Sequence, residues 1–257
     1  MPALPNAFKA ALSQGEMQLG LWLALANPYT AEVCAGAGYD WLLVDGEHAP
    51  NDIPTILAQL QAVGRGRSHP VVRPAIGETW LLKQILDLGA QTVLVPMVES
   101  ASQAQALVKA VRYPPHGVRG IGAGLARASS FNRDQNYLHT ANDEICLLVQ
   151  IESRAGISAL KDITTTEGVD GVFVGPADLA ADMGYLGRPD APEVIQTVEE
   201  AIRAISALGK PAGVLSADRA LARRYVNAGA RFVAIGSDVG ILSTQSTAII
   251  KEFRQSS

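Results

Sequence analysis

Apolar positions in this 257-residue chain fall into short unbroken runs, separated by longer stretches with helical periodicity. The runs lie at 18–24, 40–45, 70–74, 92–97, 146–152, 171–176, 212–216 and 232–236. They lack the apolar–polar alternation of a strand with one wet face, so each reads as a strand covered on both faces. Between the runs, apolar residues recur at three- and four-residue intervals. Ile53, Ile56, Leu57 and Leu60 share one helical face, as do Ala104, Leu107, Val108 and Val111. Glycine punctuates the boundaries: Gly38, Gly89, Gly168 and Gly229 each stand just before an apolar run. There a left-handed residue can end a helix and turn the chain into a strand.

Strand and helix alternating along the whole chain predict a parallel sheet. Eight such units in this length predict a closed (β/α)8 TIM barrel forming a single domain over 1–257. Two connections exceed plain barrel loops. Segment 113–144 holds Pro114-Pro115, a glycine-rich stretch over 117–124, and Arg119, Arg127 and Arg133; segment 177–192 follows the sixth run. Connections of that length usually serve function or subunit contacts.

Composition narrows the class. Apolar residues make up 48% of the chain and charged residues 18%, which suits a sizeable core and excludes disorder. A net charge of −4 gives no general attraction to nucleic acid or anionic membranes. Cys34 and Cys146 are far apart in apolar surroundings and read as two buried, reduced thiols. The N-terminal Met1-Pro2-Ala3-Leu4-Pro5 has no basic segment leading into an apolar run, so no signal peptide is expected. No uncharged apolar stretch reaches the ~18 residues a membrane helix needs. The expectation is a soluble cytoplasmic protein without nucleic-acid or membrane partners.

In such barrels chemistry sits at the C-terminal ends of the strands. Polar residues accumulate there: Asp45-Gly46-Glu47-His48, Arg73-Pro74, Gln150-Ile151-Glu152 and Gly175-Pro176-Ala177-Asp178. Ionisable groups ending apolar strands are costly unless paired or bound to a ligand. Glu152 and Asp178 come from neighbouring strands, roughly 4.8 Å apart in a sheet. Their repulsion would be relieved by a divalent cation such as Mg2+ or Mn2+, or by an arginine such as Arg73 or Arg154. His48 is either a partner of Asp45 or Glu47 or a proton-transfer group. Arg73 is either a barrel-mouth ion pair or a planar cation for a carboxylate or enolate oxygen. His69 precedes its strand and belongs to the opposite, structural face, while His116 and His139 lie in the long segment as surface, interface or substrate groups, the surface being the first expectation. Gly120–Gly124 follows a Pro-Pro turn and lacks dinucleotide spacing.

The segments 41–51, 70–74, 148–152 and 171–179 together resemble the HpcH/HpaI aldolases, and the similarity runs from about Phe8 to the last helix. The resemblance implies a class II aldolase. It would reversibly cleave a 4-hydroxy-2-oxo acid, such as 4-hydroxy-2-oxoheptanedioate, to pyruvate and an aldehyde through an enolate. A 2-keto-3-deoxy-sugar-acid substrate, hydroxypyruvate as donor and a citrate-lyase-β-like thioester lyase are the alternatives. It implies Glu152 and Asp178 as ligands of a divalent metal (Mg2+, Mn2+ or Co2+), with no organic cofactor. Gln150, the Ala177 backbone, Asp178 and Arg73 would bind the 2-oxo acid. His48 would be the acid/base, Arg73 the enolate stabiliser, and Asp87 the group that raises the basicity of His48. A homo-hexamer, a trimer of dimers, would use segment 113–144 and the C-terminal helix at its contacts. Leu215, ending the seventh run, and Arg127 are candidates for the aldehyde. Lys83, Lys109 and Lys161 fall in helical stretches, which disfavours a Schiff base.

Overall fold

The computed structural model describes residues 3–255. In chain order the elements are α1 (Ala7–Ser13), β1 (Gln18–Leu23), α2 (Pro28–Ala35), β2 (Trp41–Asp45), α3 (Ile53–Val63), β3 (His69–Arg73), α4 (Thr79–Asp87), β4 (Thr92–Val95), α5 (Ala101–Val111) and α6 (Tyr137–Glu144). The second half continues with β5 (Cys146–Ile151), α7 (Arg154–Ser158), α8 (Leu160–Thr164), β6 (Gly171–Val174), α9 (Pro176–Asp182), α10 (Pro192–Ala207), β7 (Ala212–Leu215), α11 (Arg219–Ala228), β8 (Ala230–Ser237) and α12 (Asp238–Gln255). Each strand pairs in parallel with the next, and β8 returns to β1, closing the expected barrel. The strands begin and end within two residues of the apolar runs. Segment 113–144 is less irregular than its composition suggested: it contains a 3-10 turn at Arg127–Ser129 and the helix α6. Segment 177–192 opens inside α9. No helix among the described residues is long and apolar enough to cross a membrane.

Small and large residues interlock inside the barrel. Trp22, Trp41, Phe173 and Phe232 form a ring of aromatic contacts with centroids 5.6–6.2 Å apart. The indole of Trp41 lies where a Cβ on Gly20 would be, and the ring of Phe232 takes the same space at Gly213. Outside the strands, Ala104, Leu107, Val108 and Val111 of α5 are all buried, as are Ile56 and Leu60 of α3, while Ile53 and Leu57 are half-buried. Each fully buried aliphatic side chain of this kind contributes roughly 1.5–3 kcal/mol.

The N-terminal end of the barrel is plugged by α1, whose Phe8 and Leu12 join the interior cluster. Phe8 stacks on His69 at 5.4 Å and meets Phe232 edge-on at 6.2 Å. Asn6 caps α1 and donates through Nδ2 to Thr92 Oγ1 at 3.1 Å and to the Glu144 carbonyl at 3.0 Å. Cys146 is buried at this end, but Cys34 on α2 is half-buried, so the expectation of two buried thiols holds for Cys146 alone. His116 and His139 are exposed, as their positions suggested.

His69 opens β3 and its Nε2 lies 2.8 Å from Thr92 Oγ1. Burial lowers its pKa to about 4, below the usual 6.5. The unfolded chain therefore takes up a proton that the folded chain refuses as pH falls from about 6.5 to 4. Stability is expected to fall across that window by up to about 3 kcal/mol. Urea unfolding followed against pH should show this slope in the wild type and a flatter one in His69→Asn.

Candidate active site

The C-terminal mouth of the barrel is organised around a buried guanidinium. Arg73, ending β3, is 6% exposed and grips Asp45, ending β2, which is 2% exposed. Its Nε donates to Asp45 Oδ1 at 2.9 Å and its Nη2 to Oδ2 at 2.7 Å, a planar two-bonded fork. Its Nη1 lies 2.7 Å from Glu47 Oε2. The strand register sets this pairing, because Asp45 and Arg73 are direct neighbours across β2 and β3. Burial raises the Asp45 carboxyl, but the Arg73 fork and the amides of Glu47 and His48 outweigh it and hold the group below the usual range. Glu47 goes the other way, since burial outweighs the attraction of Arg73 and His48. The guanidinium also lies 5.3 Å from the centre of the Trp22 ring. Of the two roles open for Arg73, the ion pair is present.

Glu152 lies one residue beyond β5 and is buried. Its Oε1 accepts the Met97 amide at 2.8 Å and its Oε2 accepts from the Gln150 side chain. Burial pushes its pKa up to about 7 against these two donors, and the nearby Glu47 and Asp178 carboxylates add to the rise. Neither arginine considered above neutralises it: Arg73 is held by Asp45 and Glu47, and Arg154 pairs with Asp182 at 3.3 Å. Gln150 Oε1 is buried with no hydrogen-bond partner. Gly175 leaves room for this arrangement, since a Cβ there would lie 2.6 Å from Glu152 Oε2. Asp178, in the first turn of α9, is exposed towards the same space.

These groups surround a cavity of about 470 Å³ that takes in His48, Arg73, Gln150, Glu152, Ala177, Asp178 and Leu215. His48 is exposed, with Nε2 3.8 Å from Glu47 Oε2. Among the described residues no three His, Cys, Asp or Glu side chains form a closed metal-ligand set. The donor set still suits a hard divalent cation, which commonly takes one or two protein carboxylates and leaves other positions to water and substrate oxygens. Glu152 and Asp178 are the residues that could supply such carboxylates, since both line the cavity, and Gln150 Oε1 is an unsatisfied acceptor on the same cavity.

Comparison with known proteins follows the same lines. A profile described as HpcH/HpaI aldolase/citrate lyase matches residues 18–244. The chain belongs to the HpcH/HpaI aldolase family. It is 57% identical over 254 residues to a hydroxypyruvate/pyruvate aldolase of Deinococcus radiodurans, covering 99% of this chain and 92% of the relative. It is 55% identical over 250 residues to a 4-hydroxy-2-oxo-heptane-1,7-dioate aldolase of Salmonella heidelberg, covering 97% and 95%. A crystal structure of a family protein from Burkholderia cenocepacia superposes with a TM-score of 0.93 at 39% identity, covering 97% of this chain and 99% of that one.

Two candidates, Asp87 from the resemblance and Arg127 for the aldehyde, do not join the others within this chain. Asp87 ends α4, which runs back from the mouth, so it lies towards the end of the barrel opposite His48. There it accepts from Arg119 at 2.7 Å, and Arg119 is fully buried 4.4 Å from the Tyr113 ring centre. Arg127 donates to the Leu88 carbonyl at 2.8 Å and does not line the cavity. Conversely, the cavity includes Trp22, Ser216 and Asp218, which the sequence reading passed over. Ser216 and Asp218 follow β7 directly, so the strand-end rule that found Glu152 would also have found them. Met97, whose amide holds Glu152, carries no local signal.

Removing Arg73 tests the pairing. Arg73→Met leaves Asp45 buried without its partner, and breaking a buried pair this way costs about 3–5 kcal/mol. Urea unfolding should show that loss, with Arg73→Lys falling between it and wild type because lysine keeps the charge without the fork.

Proposed function

We propose that this chain is a class II aldolase that reversibly cleaves a 4-hydroxy-2-oxo acid to a pyruvate-type donor and an aldehyde. The observation that carries the reading is a buried carboxylate, Glu152, with no arginine partner beside the orphaned acceptor Gln150 Oε1. Relatives named for hydroxypyruvate/pyruvate and for 4-hydroxy-2-oxo-heptane-1,7-dioate support it. Glu152 and Asp178 would hold Mg2+, Mn2+ or Co2+. A divalent cation there supplies Lewis acidity towards the oxygens of the 2-oxo acid and lowers the cost of the enolate.

The rest is the work of the chain. Gln150 and the Ala177 amide hold the 2-oxo acid, the amide being among the first-turn N–H groups that lack an intrahelical partner. In the cleavage direction His48 takes the proton of the 4-hydroxyl. The C3–C4 electron pair moves into the C2=C3 bond of the enolate, the aldehyde leaves, and C3 then takes the proton that His48 holds, which restores the base. Arg73, fixed in the plane of its fork, offers its remaining N–H edge to the developing enolate oxygen. Leu215 borders the aldehyde's path.

Assembly belongs to the same proposal. Val118, Ile121, Leu125 and Phe131 of segment 113–144 are exposed, as are Ile241, Leu242 and Ile249 of α12. A homo-oligomer, a hexamer built as a trimer of dimers, would cover such faces. Asp87 can then serve His48 only from a neighbouring subunit, because within one chain they lie towards opposite ends of the barrel. Free thiols at Cys34 and Cys146 suit a reducing cytoplasm.

The deciding assay is pyruvate release from racemic 4-hydroxy-2-oxoheptanedioate with Mg2+ or Mn2+, before and after EDTA. Release should require metal and return when it is restored. Glu152→Gln should lower kcat/KM at least about 100-fold. Release that survives exhaustive metal removal overturns the assignment of Glu152 and Asp178, and no release with metal present points to a sugar-acid substrate. Gly175→Ala, which drives a Cβ into Glu152 Oε2, should weaken metal affinity and so raise the metal concentration needed for half-maximal rate.

A further inference from the structure

We infer that Met97 is a positioning residue for the divalent-cation site: its left-handed backbone turns a main-chain amide onto Glu152 and so strengthens metal binding. The inference rests on the metal-dependent reading above and adds to it a residue that acts through its backbone rather than its side chain. Met97 has a φ of 56°, in the region that L side chains rarely adopt. Ala26, Ser130, Phe131 and Asn132 are the other non-glycine residues with positive φ among those described. Of these, Met97 alone hydrogen-bonds a carboxylate that lines the cavity.

The turn that carries this strain is tied to the end of β5 at three points. Met97 N donates to Glu152 Oε1 at 2.8 Å, Val98 N to the Gln150 carbonyl at 3.0 Å, and Ser153 Oγ to Glu99 Oε1 at 2.6 Å. β4 and β5 pair as far as Val95 and Val149, so the turn starts beside the strand it clasps. Pro96 has no N–H, so Met97 carries the first amide after β4. Val98 is already back in the core, 2% exposed. A left-handed residue supplies the sharp reversal that lets two successive amides face β5. The Met97 side chain is 48% exposed and has little packing to offset the cost of that conformation. The return comes at Glu152. An amide fixed by the backbone orients the carboxylate without bringing a positive charge that would compete with a cation, as an arginine would. Every bond of the clasp lies within one chain, so it does not wait on a neighbouring subunit.

The test is binding of Mn2+ alone to the metal-stripped protein, with free Mn2+ read by electron paramagnetic resonance and no substrate present. Met97→Gly and Met97→Asn, which accept a left-handed φ, should keep Kd within about twofold of wild type. Met97→Val, branched at Cβ, should raise Kd about tenfold, and Met97→Ala should fall between. Side-chain packing would give the reverse order, with glycine the worst replacement and valine a mild one. Thermal melting shows which variants fold; where Met97→Val does not, Met97→Ala carries the expected loss. Weakened binding in Met97→Gly overturns the inference, as does wild-type affinity in the folded Met97→Val or Met97→Ala. Either result leaves the metal-dependent aldolase reading in place, because wild type still binds Mn2+. No Mn2+ binding by wild type overturns the metal assignment and this inference with it.

Discussion

The mouth of this barrel depends on one buried guanidinium. Arg73 is out of water, and a buried cation needs carboxylates in good geometry to be tolerated. It takes Asp45 through both oxygens and Glu47 through a third nitrogen. That commitment fixes the relative position of the β2 and β3 ends and the turn that carries His48. It also keeps Arg73 from neutralising Glu152, as Asp182 keeps Arg154. The charge left uncompensated in the cavity is therefore a consequence of the charge that is compensated beside it, and Glu152 is left without an arginine partner.

The architecture was legible because parallel strands covered by helices have no wet face, so burial writes them as continuous apolar runs. Most of the candidate site was legible for the same reason: against such runs, Arg73, Gln150 and Glu152 stand out as polar residues at the ends of apolar strands. What escaped depends on three-dimensional neighbours. Nothing local marks Met97 as the donor to Glu152, or Trp22 as the ring beside Arg73. The glycine- and proline-rich composition of segment 113–144 concealed α6, whose polar sequence takes helical form beneath the plug of the barrel. Asp87 came only from the resemblance to the HpcH/HpaI aldolases, and its partner in this chain, Arg119, lies in a segment with no periodicity to reveal it.

The interior follows a second economy of space. Two glycines, Gly20 on β1 and Gly213 on β7, give up their side chains so that Trp41 and Phe232 can lie across the neighbouring strands. The aromatic ring thus formed reaches from the plug at one end to Trp22 and Phe173 at the cavity at the other. The core and the cavity therefore share the same side chains, and the floor of the cavity is the top of the packed interior.

The plug has a consequence for the order of assembly. Asn6 binds the backbone of Glu144, 138 positions away, and Phe8 rests on a residue of β3 and another of β8. A helix made ahead of every strand of the barrel thus has no finished seat until β8 has been made. Its docking therefore depends on contacts from both halves of the chain, so the plug reports on the completed barrel rather than on any part of it.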